Sequence, residues 1–280
     1  MDAYTDFASV YDTFMDETPY EEWAERIDNM IREYGISVPN KGKKQPEAEH
    51  ADSGELLDTE KNLVVDLGCG TGTLTEMLAA KGYDMIGIDL SQEMLQVAVA
   101  KKEMRNSNVL YLCQDMRELD LYSTAGTIIS VCDSVNYLLE EEDLLETFRL
   151  VNNYLYPGGV FIFDFNTKYK YEVIIGDTTI AENREECSFI WDNYYHEDEN
   201  INEYDLTVFV KEESGLFRKF EENHYQRGYT LEEMKRLVER AGLRFIKAID
   251  ADTQKEPTPE SERIYIVAGE QGKNVKQEEK

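Results

Sequence analysis

Three glycines at alternate positions behind an acidic residue, Asp66-Leu67-Gly68-Cys69-Gly70-Thr71-Gly72, are the residues best suited to hold a ligand against bare backbone. Glycine removes the Cβ that would keep a ligand away, and a helix starting after the turn offers unpaired N–H groups. A second carboxylate, Asp89, closes the next apolar run about 20 residues on, the separation at which an acid accepts both hydroxyls of a ribose. Ser91 is placed to cap the helix that follows, and Met94 to pack beside a ribose or base. The four cysteines, Cys69, Cys113, Cys132 and Cys187, form no CxxC and no Cys/His pair, so neither a metal site nor a disulfide framework is indicated. Of the three histidines, His50 lies in a polar stretch and His196 in the acidic run HEDEN. His224 is left as the candidate acid–base group, with an ordinary structural role as its alternative.

Those residues need a scaffold, and the hydrophobic pattern supplies one. Leu63 to Val65 have the length and branching of a buried strand, and Leu74, Met77 and Leu78 share a helical face after the glycines. Further strand-like runs lie near 84–89, 108–113, 127–132 and 159–164, separated by helical patterns at 73–81, 91–104 and 141–155. Gly82 and Pro157-Gly158-Gly159 act as stops. This alternation predicts an α/β fold with a parallel sheet covered on both faces.

On either side the pattern changes. Residues 4–34 read as two amphipathic helices, the first carrying Tyr4, Phe7, Ala8 and Tyr11, the second starting at Pro19 with Trp23, Ile27, Met30 and Ile31 on one face. Residues 184–227 hold three strand-like stretches with no helix between them, which predicts an antiparallel insertion. A helix at 231–241 and two strands, LRFIKAI and RIYIVAG, complete the order. The expected division is an arm at 1–36, a flexible loop at 37–61, a core at 62–165 and 228–270, the insertion at 166–227, and a disordered tail at 271–280.

Composition narrows the class of partner. A formal charge of −29 works against a polyanion such as nucleic acid, whose binding needs lysines and arginines. No apolar stretch approaches the roughly 20 residues that span a bilayer. The acidic N-terminus lacks the basic region of a signal peptide, so a cytoplasmic location is expected. Oligomeric state is left open.

A glycine turn after a strand first suggests a dinucleotide fold, whose fingerprint is G-x-G-x-x-G. Here the third glycine of that fingerprint would be Thr73, and the actual spacing is D-x-G-x-G-x-G. With VVDLGCGTG, MIGIDLSQEML and Gln114-Asp115-Met116 in that order, the chain resembles the class I S-adenosylmethionine (SAM)-dependent methyltransferases. The N-terminal pattern Y-x-x-F-A-x-x-Y-D, Tyr4 to Asp12, with Pro19-Tyr20 and Trp23, is similar to a subgroup that includes glycine and amino-sugar N-methyltransferases. Trp191-x-Asn193 and His224-x-x-Arg227-x-Tyr229 echo the same subgroup.

The resemblance implies a Rossmann-like seven-stranded sheet of order 3-2-1-4-5-7-6 with the seventh strand antiparallel. It also implies SAM as cofactor, S-adenosylhomocysteine (SAH) as product, and a small-molecule methyl acceptor. Asp66 is expected near the methionyl amino group, with the backbone around Gly68, Gly70 and Gly72 facing the cofactor. Tyr11 is expected at the methionyl carboxylate, Asp89 at the ribose, Asp115 at the adenine amino group and Met116 on the adenine ring. Cys69, Leu90, Met94, Cys132 and Asp133 complete the expected cofactor shell.

Methyl transfer from a sulfonium is an in-line displacement that needs alignment and no metal. An acceptor that binds protonated needs a base, worth roughly 10²–10⁴-fold. Tyr137 and His224 are the catalytic candidates, with Asp133, Asn136, Asp164, Asn166 and Tyr194 also at strand ends or on the insertion. Arg184, Arg218, Lys219 and Arg227 could meet a substrate carboxylate or merely offset nearby acids. A SAM-binding regulatory protein, an NAD-dependent dehydrogenase and a protein methyltransferase are the competing readings.

Overall fold

The computed structural model describes residues 7–40 and 59–273. Tyr4, His50, most of the expected loop and most of the expected tail lie outside the described residues.

Strand β1 (Leu63–Leu67) is buried along its whole length and pairs in parallel with β2 (Asp84–Asp89) on one side and β4 (Ala125–Ser130) on the other. Outward from these, β3 (Leu110–Cys113) flanks β2, and β5 (Leu155–Asn166) flanks β4. Beyond β5, β11 (Arg263–Gly269) pairs antiparallel with β5, and β10 (Arg244–Asp250) closes that edge. The spatial order is therefore β3-β2-β1-β4-β5-β11-β10, the expected order with the penultimate position taken by the reversed last strand.

Alternation along the strands sorts side chains onto two faces. Leu63, Val65 and Leu67 join Phe148, Phe161 and Phe163 in a core under α5 (Glu141–Tyr154) and α6 (Leu231–Arg240). Val64, Ile129 and Ile162 face the other way, under α3 (Thr73–Lys81) and the arm helix α2 (Tyr20–Tyr34), which contributes Ala24, Ile27 and Ile31. Helix α4 (Gln92–Arg105) follows β2, with Ser91 capping it by accepting the Met94 amide at 3.1 Å. The short first helix, α1 (Ala8–Phe14), joins a separate cluster, in which Val10, Phe7 and Phe14 pack against the insertion.

The insertion is an antiparallel sheet of four strands, β6 (Thr179–Asn183), β7 (Cys187–His196), β8 (Ile201–Lys211) and β9 (Phe217–Arg227). Asn202, Tyr204, Leu206 and Val208 are buried at every second position of β8, so one face of this sheet turns toward the arm. Three features differ from the sequence pattern. β6 is an exposed edge strand without buried alternation, which left it unread. Lys170–Ile175 form a wide helical turn around the buried Tyr171. Pro157-Gly158-Gly159 do not end an element but lie inside β5, where a register shift against β4 absorbs Gly158 at φ 80°.

Candidate active site

The glycine turn is held by main-chain geometry. Gly68, Gly70 and Gly72 all have positive φ (73°, 54° and 72°), a region in which a side chain is strained. The Gly68 and Cys69 amides donate to the Ile88 carbonyl at 2.8 and 3.0 Å, tying the turn to β2. A Cβ at Gly68 would collide with Ser134, whereas a Cβ at Gly70 would meet nothing and stand in open space. That open space is a cavity of about 620 Å³, within the range of small-molecule sites.

Carboxylates line its floor. Asp66 is buried, accepts a hydrogen bond from Thr75 Oγ1 at 2.6 Å, and is pushed up to about 7 by that burial. Asp89 accepts the Gly70 amide at 2.7 Å on one oxygen and the Ser91 amide at 2.8 Å on the other. Burial raises Asp89 too, and these backbone donors work against the rise. Leu90 and Met94 continue the wall. Asp115 accepts the Arg117 amide at 2.9 Å and pairs with the Arg117 guanidinium, which holds it below the usual carboxylate range. Its neighbour Met116 faces the same cavity.

The opposite end is aromatic. The arm sends Tyr11, Tyr20 and Trp23 onto the cavity, and the turn after β4 sends Cys132 and Tyr137. The Tyr11 hydroxyl is within hydrogen-bonding reach of Tyr20 and Cys132. Burial pushes the Cys132 thiol up to about 12, so it is no nucleophile at neutral pH. Arg263 lies over the Trp23 ring at 4.3 Å while paired with the buried Asp164. A polar latch fixes the arm: Asp12 accepts from Thr71 Oγ1 at 2.7 Å and pairs with Lys101 at 2.6 Å, and Lys101 also donates to Thr73.

Tyr137 connects this end to the insertion. Its hydroxyl is 2.8 Å from the Tyr204 hydroxyl and 3.3 Å from His224 Nδ1. The Tyr204 ring stacks on His224 at 4.7 Å and on Trp191 at 4.0 Å. Strand alternation puts Glu222, His224 and Gln226 of β9 on the buried face. Gln226 donates to Asp133 at 2.5 Å, and Glu222 accepts the Phe7 amide at 3.0 Å. The segment after Tyr137 is pinned from the same side, with Arg227 donating to the Leu139 carbonyl at 2.8 Å and Tyr229 to the Leu138 carbonyl at 2.5 Å.

Of the residues singled out in the sequence, Tyr11, Asp66, Gly68, Cys69, Gly70, Asp89, Leu90, Met94, Asp115, Met116, Cys132 and Tyr137 line one cavity. Gly72 does not; it caps α3 and leaves room for the Tyr111 hydroxyl. Asp133 does not either, because its left-handed backbone (φ 51°) turns the carboxylate toward Gln226. His224 reaches the cavity only through Tyr137. Asn136 and Asn166 bond each other across the insertion's root, and Tyr194 is exposed. Arg184 and Lys219 pair with neighbouring acids, and Arg218 lies over Phe220. Glu222, Tyr204 and the Asp12–Lys101 latch had no sequence signal, since each depends on pairing between distant segments.

The fold and cavity together define a class I methyltransferase. Residues 64–159 match the family described as "Methyltransferase domain". The chain is 33% identical over 266 residues to "Putative methyltransferase YqeM" of Bacillus subtilis (strain 168), covering 95% of this chain and 96% of that protein. A solved S-adenosylmethionine-dependent methyltransferase from Clostridium acetobutylicum superposes with a TM-score of 0.80 at 27% identity, covering 97% of this chain and all of that one. The sugar N-methyltransferase KedS8 from Streptoalloteichus shares the fold, with a TM-score of 0.69 at 17% identity over 95% of this chain and 96% of its own. The chain belongs to the SAM-dependent methyltransferase family, and SAM is its cofactor. Among the described residues, no helix is long and apolar enough to cross a membrane.

The residues present suit that cofactor. A deeply buried carboxylate at Asp66 fits an ammonium, the two-oxygen acceptor Asp89 fits a ribose diol, and Met116 with Leu90 offers an apolar wall for a base. The empty volume where a Gly70 side chain would stand lets a ligand touch the turn's backbone.

Proposed function

We propose that this enzyme methylates nitrogen or oxygen of a small molecule by in-line displacement, with SAH as the second product, and that amines are its preferred acceptors. The observation that carries this reading is Tyr137, which lines the aromatic end of the cavity while hydrogen-bonded to Tyr204 and His224. When bound, SAM supplies an activated methyl on a sulfonium. Asp66 would hold the methionyl ammonium, Tyr11 its carboxylate end, Asp89 the ribose, and Asp115 with Met116 the adenine.

Tyr11, Tyr20, Trp23 and Tyr137 line the end of the cavity proposed for the acceptor. An aromatic ring whose face meets a cationic amine attracts it by about 0.5–2 kcal/mol, and a chain of formal charge −29 draws cations to its surface. The insertion's Arg184 and Lys219 are engaged with acids, which weakens the case for a substrate carboxylate. A nucleic-acid acceptor falls outside this proposal on charge, and a cytoplasmic location inside it. Likeness in fold to a sugar N-methyltransferase, insertion included, supports an amine on a small scaffold.

Isothermal titration with SAM, SAH and NADH, followed by SAH release over a panel of amino sugars, simple amines and phenols, tests the proposal. Binding of SAM and SAH without NADH, and turnover of at least one amine, is the expected result. Tight SAM binding with no SAH release from any small acceptor would leave a SAM-responsive binding protein instead. Release only with a protein acceptor would move the enzyme to that class.

A further inference from the structure

We infer that Glu222 is a positioning residue of the transfer step, one member of a buried relay joining the N-terminal arm to the hydroxyl that faces the acceptor. The inference rests on the reading of Tyr137 and His224 given above. Glu222 is 7% exposed, and a carboxylate that far from water is costly unless its oxygens are engaged. One oxygen takes the Phe7 amide of the arm at 3.0 Å, and the other lies 3.3 Å from His224 Nε2. The other nitrogen of the same imidazole, Nδ1, lies 3.3 Å from the Tyr137 hydroxyl.

Two strands cooperate to fix that ring. β9 places Glu222 and His224 two residues apart on one face, and β8 sets Tyr204 directly opposite His224. The Tyr204 ring lies within 10° of parallel to the imidazole and fixes its plane, with Nε2 3.3 Å from Glu222 and Nδ1 3.3 Å from the Tyr137 hydroxyl. In the proposed relay the carboxylate beside Nε2 favours the proton on that nitrogen, which leaves Nδ1 to accept from Tyr137. Among the described residues, the groups facing His224 that can titrate are Glu222 from β9, Tyr204 from β8 and Tyr137 from the turn after β4.

For an amine that arrives protonated, the proton passes to the Tyr137 oxygen as the phenolic hydrogen passes to His224 Nδ1. The nitrogen lone pair then forms the new N–C bond while the S–C bond breaks and its electron pair stays on sulfur. The imidazolium, held against Glu222, returns its proton to water after the products leave. Because the arm that supplies the Phe7 amide also supplies Tyr11 to the cavity, an arm seated over the cofactor and a correctly aimed imidazole depend on the same carboxylate.

The chain has three histidines, so ring-nitrogen NMR of the SAH complex reads His224 directly, with His224→Asn giving the assignment. The expected wild-type signal is a single Nε2–H tautomer. In Glu222→Gln and Glu222→Met, His224 becomes a mixture of tautomers. With an amine from the panel, kcat falls roughly 10- to 100-fold while KM for SAM stays within about twofold. Tyr137→Phe reads the relay from its other end, through a shift of the Nδ1 resonance alone. An unmoved His224 spectrum in Glu222→Met or in Tyr137→Phe would overturn the relay, as would an altered spectrum with unchanged kcat. SAH affinity reports whether each variant folds, and the spectra need no acceptor, so failure of the relay is distinguishable from failure of the methyl-transfer proposal.

Discussion

At the glycine end of the cavity, main-chain amides tie the turn down, as where Gly70 reaches Asp89 across 19 residues. At the Tyr137 end the ties are made by side chains brought together from 67, 87 and 93 residues apart, as in Tyr137–Tyr204, Tyr137–His224 and Gln226–Asp133. The first end depends on what is missing, the Cβ atoms of its glycines. The second depends on what each side chain carries. An end built from backbone tolerates little change in conformation and some change in chemistry, and the end built from side chains has the reverse tolerance.

The largest expected effect is at the backbone end. Gly68→Ala puts a Cβ against Ser134 at φ 73°, a left-handed cost of about 1–2 kcal/mol plus an overpacking cost of about 1–3 kcal/mol. Calorimetry should show SAH affinity reduced roughly 100-fold, and retention of wild-type affinity would break the comparison from that side.

Tyr137→Phe should do the opposite, leaving SAH affinity within about twofold while kcat on an amine falls roughly 100-fold. A loss confined to SAH affinity would assign Tyr137 to the cofactor end instead.

Asp66 adds a pH test. Burial lifts it to about 7, so below that pH the carboxyl is protonated and cannot hold an ammonium. SAM affinity should rise about tenfold from pH 6 to pH 8 with release of a proton, and Asp66→Asn should flatten the profile. The sign for stability is the reverse. Between the ordinary carboxylate range and about 7, the folded, unliganded chain holds a proton that the unfolded chain has released, so stability falls as pH rises through that window. A thermal midpoint that climbs across it would contradict the burial argument.

The smallest effect sharpens the boundary between the ends. Asp12→Asn weakens the arm latch, a partly exposed pair worth about 1 kcal/mol or less, so SAH should dissociate roughly three- to five-fold faster with kcat unchanged.

The same contrast explains what could be read from the chain alone. Asp66, the glycines and Asp89 were legible because a strand, a turn and a helix place them within one short span. The sheet order was legible through the resemblance. Glu222 and Tyr204 were not, because their meeting with His224 and Tyr137 is set by cross-strand register and by where the arm lands. Asp133 was misplaced for a local reason. Two consecutive non-glycine residues, Cys132 at φ 70° and Asp133 at φ 51°, adopt the left-handed conformation, and that turn points one side chain at the cavity and the next away from it. Nothing in the residue types announces such a turn.

The insertion leaves the sheet after Asn166 and returns just before Tyr229, and a single bridge between Thr167 and Tyr229 joins the two crossings, with the Lys168 amide donating to the Tyr229 carbonyl at 3.0 Å. The chain thus leaves and rejoins at one place, while the far side of the insertion is tied back to the arm and to the turn after β4. Changes of length at its far end, around β6 and the β8–β9 turn, need not alter the register of β5 or β11, whereas changes on β9 reach the arm through Glu222 and the turn after β4 through Gln226.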